Sequence, residues 1–232
     1  MLDKELIKSK FQKGLLTYSD NATVQKQMAK KLAQYVSGFF EDVLEIGSYS
    51  GFLTCELVAK INFENYLAID IVDSFSYIKN LNPKIQFLKA DIEKVQLDKK
   101  FDLIVSSSSL QWCDDFNLVI KKLKSSLKQD GKLAIAVFGN KNLYQIKNAF
   151  NTSLNYPDVN EIKKYFSKNV KITEEFKTLQ FDNPREILRH LKNTGVNSFR
   201  HNYTYSQIKE RMNILEKKYN NQLTYHPIYI ID

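Results

Sequence analysis

Between residues 43 and 138, short apolar runs alternate with amphipathic stretches, and this alternation narrows the possible folds most. Residues 43–46, 66–69, 85–88, 103–105 and 133–138 are continuous apolar runs of strand length. Strands buried on both faces read this way, whereas half-exposed strands alternate apolar with polar. Residues 52–61 and 116–127 carry helical spacing instead, the second with apolar side chains at 116, 119, 120, 123 and 127. Strand–helix alternation of this kind predicts an α/β fold: a mostly parallel sheet with helices on both faces and right-handed crossovers. Helices are expected over 4–13 and 21–37, the second capped by Asp20 or Asn21. After Gly139 the pattern predicts a helix over 143–154, a strand near 170–181, helices near 184–193 and 205–220, and a last strand over 223–231. That last run contains Pro227, which fits an outer or bulged strand better than a central one.

The chain has 232 residues, enough for one α/β domain with a full core. We divide it into N-terminal helices (1–40), a strand–helix centre (41–139) and a C-terminal part (140–232). Hydrophobic residues make up 43% and charged residues 26%, a globular composition that excludes bulk disorder. No stretch approaches the ~20 apolar residues of a membrane helix, and MLDKELIKSKF has no apolar secretory core. Cys55 and Cys113 are too few for a disulfide framework or a four-ligand zinc site, so a cytoplasmic location and no metal are expected. Residues 1–139 hold 19 basic and 17 acidic side chains, whereas residues 140–232 hold 15 and 9. A basic C-terminal part fits an acidic partner; a lysine-rich composition overall is the plainer explanation.

The first strand–loop–helix reads Val43-Leu44-Glu45-Ile46-Gly47-Ser48-Tyr49-Ser50-Gly51. Glycine at a strand end lets the backbone turn sharply and approach a ligand, and open parallel sheets bind ligands beyond their C-terminal strand ends. Asp70 ends the second strand, where a carboxylate can accept both hydroxyls of a ribose. A dinucleotide fingerprint requires glycine where Tyr49 and Phe52 stand, so a dehydrogenase is disfavoured. Glu45, Gly47 and Gly51 resemble the Glu/Asp-x-Gly-x-Gly-x-Gly loop of class I S-adenosylmethionine methyltransferases, with Tyr49 replacing the middle glycine. The resemblance implies a Rossmann-like, mostly parallel seven-stranded sheet with a helical cover before the last strand. It also implies S-adenosylmethionine as cofactor, with Asp91 near the adenine amino group and Ile92 beside the ring. Gln25, Ser48, Tyr49, Ile71 and Ser106 complete the implied cofactor set.

The fourth strand runs into Ser106-Ser107-Ser108-Ser109-Leu110-Gln111-Trp112. The Asn/Asp-Pro-Pro-aromatic loop of amino-group methylases is absent. Leu110-Gln111-Trp112 instead is similar to a motif of the malonyl-acyl-carrier-protein O-methyltransferases of biotin synthesis, which carry Ser-Asn where Ser106-Ser107 stand. Further likenesses are Phe11, Tyr18 and Gln25 in the lead-in, Phe138-Gly139 with Asn142-Leu143, the stretch 191–197, and Leu223-Thr224-Tyr225. The resemblance implies methyl transfer to the free carboxylate of malonyl-acyl carrier protein, with Tyr18, Gln111 and Trp112 at the reacting centre.

A carboxylate of pKa about 4 is already ionised at pH 7 and needs no catalytic base. Orientation and removal of water suffice, so the lack of a His–Asp or Cys–His constellation is no objection. For holding the substrate carboxylate, the basic segment before the last strand offers Arg189, His190, Lys192, Arg200 and His201; a solvated helix face is the alternative for each. Lys147, Arg185 and Lys209 join Arg189, Lys192 and Arg200 as the expected rim facing an acidic carrier protein, with neither membrane nor nucleic acid as partner. Alternatives are a methyltransferase acting on another small acid or on RNA, and a non-catalytic module that binds S-adenosylmethionine.

Overall fold

The computed structural model describes residues 2–152, 154–196 and 203–232. Its centre is a seven-stranded sheet built from β1 (Gly38–Ile46), β2 (Ile61–Asp70), β3 (Ile85–Lys89), β4 (Phe101–Ser107), β5 (Leu127–Phe138), β6 (Lys171–Glu174) and β9 (Pro227–Ile231). The order is β3-β2-β1-β4-β5-β9-β6, and a two-stranded sheet joins β7 (Lys177–Gln180) to β8 (Gln222–Tyr225). From β3 to β5 neighbours pair in parallel, and β9 runs antiparallel to both β5 and β6. Successive strands step outward from β1 in one direction and then, from β4, in the other. The point of reversal lies between β1 and β4, where such sheets open a crevice at their C-terminal edge.

The continuous apolar runs are explained by burial on both faces. In β4, Leu103 and Val105 join one core with Met28, Leu32, Ala134 and Ala136, while Ile104 joins the opposite core with Leu44, Leu133, Ile135 and Val137. Alternate side chains of a strand point to opposite faces, so each layer takes every second residue. Helix α2 (Thr23–Ala33) covers the first face with α3 (Phe52–Val58). On the second face α5 (Phe116–Ser125) presents Val119, Ile120 and Leu123, all buried. Truncating Leu103 or Ile104 to alanine costs about 2–5 kcal/mol by this packing.

Helix α1 (Lys4–Asn21) lies across the C-terminal strand ends. Asp3 caps it by accepting from the Leu6 amide at 2.9 Å. Lys4 Nζ donates to Glu93 at 2.5 Å and to the Trp112 carbonyl at 2.7 Å, which fastens the helix start to the far side of the sheet. Short helices α4 (Phe75–Ile78), α6 (Tyr144–Phe150) and α7 (Val159–Lys163) precede the C-terminal pair α8 (Pro184–Asn193) and α9 (Tyr205–Tyr219).

Several boundaries differ from the sequence reading. The first two helices meet at Ala22, whose φ −85° and ψ 51° break the ladder, so α1 is longer and α2 shorter than expected. Residue 61 opens β2 rather than closing α3. β5 begins at Leu127 rather than at 133 and includes Asp130-Gly131, and its register against β4 slips between Phe101 and Leu103. The run 170–181 is two strands in two sheets. The last run also breaks, at His226, and β9 lies between β5 and β6 instead of at an edge. Pro227 is tolerated there because it is the first residue of β9.

Candidate active site

The loop from β1 to α3 folds under the carboxylate of Asp70. Gly47 has φ +77°, and a Cβ there would come within 2.3 Å of the Ser109 Cβ, so only glycine fits. Its amide donates to the Ile69 carbonyl at 2.7 Å. The Tyr49 amide donates to Asp70 Oδ2, and the Val72 amide to Asp70 Oδ1, each at 2.9 Å. Burial pushes the Asp70 carboxyl up to about 6 against these main-chain bonds. Each oxygen keeps a lone pair free for another donor.

Tyr49 replaces a glycine, and its backbone accordingly sits at φ +36°, unusual for a tyrosine. Two contacts hold it. Its hydroxyl donates to the Phe11 carbonyl of α1 at 2.7 Å, and its ring meets Phe11 and Tyr18 edge-on with centroids 5.3 Å and 4.6 Å away. The side chain thus fastens the glycine loop to α1.

A cleft of about 640 Å³ lies above this loop, lined by Gly47, Ser48, Tyr49, Asp70, Ile71 and Trp112 among others. A second hollow of about 440 Å³ continues past Asp70 to Asp91 and Ile92. A third, of about 320 Å³, opens on the other side of Tyr18, Gln25 and Trp112 toward Gln111, Asn142, Tyr156 and Tyr225. Trp112 borders all three.

Tyr18, Gln25, Gly47, Ser48, Tyr49, Asp70, Ile71, Asp91, Ile92, Gln111 and Trp112 line these three adjoining hollows. Three expected cofactor contacts do not. Glu45 is fully buried under the sheet edge, where its Oε2 accepts from Thr54 at 2.7 Å and Tyr66 at 2.6 Å. Burial raises its pKa to about 7. Ser106 turns inward and donates to the Ile46 carbonyl at 2.9 Å; Ser107, Ser108 and Ser109 face the cleft instead. Gly51 starts α3 in the left-handed region and lines none of the three hollows.

Of the expected carboxylate-binding residues, those described line none of the three hollows. Arg189 and Lys192 are exposed on α8. His190 is half-buried with its Nε2 2.7 Å from the Tyr225 hydroxyl, and burial lowers its pKa. Arg200 and His201 lie outside the described residues. Sequence reasoning missed Tyr156, which stands in a loop without periodicity, and the outward turn of Ser107–Ser109, which alternation past Ser106 signals.

The cleft fits a nucleoside carrying a sulfonium. Asp70 keeps acceptors for two ribose hydroxyls, Ile71 and Ile92 offer apolar walls to a purine, and Asp91 stands at that end. Gln25 Oε1 and Ser48 Oγ are buried without a partner. Around them Phe11, Tyr18, Tyr49, Phe52 and Trp112 form a chain of ring contacts 4.6–5.6 Å apart, a surface that attracts a cation.

Comparisons with known proteins place the chain in a family and its sheet in a fold class. The Methyltransferase domain family model matches residues 44–135. A malonyl-acyl-carrier-protein O-methyltransferase of Calditerrivibrio nitroreducens is 36% identical over 97% of this chain and 94% of its own. Proteins of the same name from Haemophilus influenzae and Chlorobium luteolum are 31% and 32% identical over 99% of this chain, and 94% and 95% of their own. Among solved structures, Bacillus subtilis YcgJ superposes with a TM-score of 0.64 at 13% identity, over 88% of this chain and 97% of its own. The N-methyltransferase NodS of Bradyrhizobium japonicum, in complex with S-adenosyl-L-homocysteine, does so with 0.55 at 12%, over 97% of each. These two likenesses establish the fold of the sheet and its helices, that of class I methyltransferases. By its near-full-length identity to the three relatives, the chain belongs to the malonyl-acyl-carrier-protein O-methyltransferase family.

Proposed function

We propose that this enzyme transfers a methyl group from S-adenosylmethionine to the free carboxylate of a malonyl thioester carried on acyl carrier protein. The observation that carries the reading is the junction at Trp112, where the cleft beside Asp70 meets a second, smaller cavity walled by Tyr18, Gln25, Gln111, Asn142 and Tyr156. S-adenosylmethionine, when bound, supplies an electrophilic methyl group on a positively charged sulfur. Asp70 holds the ribose, and the Tyr49 amide holds Asp70. Asp91 and Ile92 receive the purine. Trp112, Tyr18 and Gln25 border both cavities and set the line along which donor and acceptor face each other. The acceptor carboxylate is ionised at neutral pH, so no residue has to remove a proton. Phe11, Tyr18 and Trp112 exclude water, which strengthens attraction between the opposite charges and avoids loss of the methyl group to solvent.

Lys147, Arg185, Arg189, Lys192 and Lys209 are exposed on α6, α8 and α9, and Arg185 and Lys209 line a groove between α8 and α9. This basic face suits an acidic carrier protein. The reading is tested by offering methyl-labelled S-adenosylmethionine with malonyl-carrier protein, free malonate and RNA in parallel. Base-labile label on the carrier protein is expected. Label on RNA alone, or S-adenosylmethionine binding without turnover, would refute it.

A further inference from the structure

The third cavity is walled in part by an amide whose orientation is fixed. The His226 main-chain N–H donates to Asn142 Oδ1 at 3.1 Å, and a main-chain nitrogen can only donate, so the orientation of the amide is set. Asn142 Nδ2, the donor this leaves, stands near Tyr156 on the wall of the same cavity. With a donor beside its oxygen, the Tyr156 hydroxyl is left to offer its own proton to the cavity it lines. Asn142 is 2% exposed and Tyr156 8%, so neither side chain faces bulk water. Across the same cavity stand Tyr18 and the Gln25 side-chain amide, 7% and 4% exposed. Gln111 is different. Its Nε2 is engaged by the Ser108 carbonyl at 2.7 Å, and its buried Oε1 has no partner. Burial raises both Tyr18 and Tyr156, which keeps the two phenols protonated as donors across the working pH range.

We propose that Tyr18, Tyr156 and Gln25 form a neutral donor set that selects acceptors bearing a free carboxylate, with Asn142 as the residue that aims Tyr156. The proposal rests on the carboxyl methyl-transfer reading above and adds how the acid is recognised. A neutral set also suits the chemistry. The carboxylate loses its charge as the methyl group arrives, so a paired cation would hold the ground state more tightly than the transition state.

The test compares malonyl-carrier protein as substrate with acetyl-carrier protein, which lacks the carboxylate, as competitive inhibitor. Tyr156→Phe is expected to raise KM for malonyl-carrier protein about 10- to 100-fold, as loss of a bond to a charged group does. The inhibition constant of acetyl-carrier protein and the Kd for S-adenosylmethionine should change less than about twofold. Asn142→Asp, near-isosteric but unable to donate to Tyr156, should reproduce the loss of discrimination, which a merely structural defect would not, since that would weaken both carriers alike. A malonyl-to-acetyl ratio unchanged in both variants would overturn the proposal, as would the ratio collapsing in Arg200→Ala while Tyr156→Phe keeps it. Absence of any methyl ester with the wild-type enzyme would instead remove the underlying reading, so the two failures are distinct.

Discussion

The donor side of the cleft is made of main chain, and the acceptor side of side chains. Around Asp70, the amides of Tyr49 and Val72 and the bare Cα of Gly47 shape the surface, all within one β-loop-α unit and the end of the next strand. Around Tyr156, the surface is assembled from α1, α2, the turn after β4, the loops after β5 and α6, and β8. A main-chain site tolerates change in side chains but not in backbone conformation. That is how Tyr49 replaces a glycine without loss of the bond from its amide to Asp70. A side-chain site has the opposite sensitivity: conservative replacements that leave the fold intact redirect its donors.

The largest expected effect breaks the donor side. Asp70→Ala removes the ribose acceptors and strands the Tyr49 and Val72 amides, and should weaken S-adenosylmethionine binding by roughly 100-fold in calorimetry. Gly47→Val should come close to this by a different route. The new side chain clashes with Ser109 at φ +77°, so binding should fall together with thermal stability, whereas Asp70→Asn should keep most of its stability.

A pH titration of stability comes next. Glu45 has its pKa raised by burial from 4.5 to about 7 in the folded protein, so folding favours its protonated form. Its contribution is fully present below about pH 4.5 and is lost as pH rises through 7, to the extent of ~3 kcal/mol. Asp70 acts in the same direction at lower pH, between 3.8 and about 6. Urea unfolding from pH 5 to 8 should therefore show falling stability, and Glu45→Gln should flatten the upper part of that slope. A stability that rises over this interval would contradict the burial of both groups.

The smallest effect separates the carrier protein from the acyl head. Reversing Arg185 and Lys209 to glutamate should raise KM for malonyl-carrier protein about 5- to 10-fold at low salt and less at high salt, with malonyl-pantetheine unaffected. Equal effects on both substrates would place the basic face in the acyl site instead.

The two sides also differ in how far the sequence revealed them. Asp70, Asp91 and Gly47 stand at strand ends, and the strands declare themselves by continuous apolar runs, so position along the chain translates directly into position at the crevice. Glu45 shows the limit even here. Being two residues before Gly47 in a strand places it under the loop rather than above it, bonded to Thr54 and Tyr66. On the acceptor side, periodicity identifies α8 as a helix but not which face meets the cavity, so Arg189 and Lys192 were expected at a site they do not reach. Tyr156 follows no repeat, and only tertiary packing brings it to Asn142. Gly195 is instructive in the same way: its φ of +73° and the closeness of the Phe11 ring, 2.9 Å from where a Cβ would stand, couple the end of α8 to the cleft through a contact that spacing alone does not disclose.

The most direct test is a crystal structure with S-adenosyl-L-homocysteine bound. Both ribose hydroxyls should lie within hydrogen-bond distance of the Asp70 carboxylate, with the sulfur facing Tyr18 and Gln25 across from the acyl cavity. A cleft closed by the Tyr49 ring, or a nucleoside bound anywhere else on the molecule, would contradict the account.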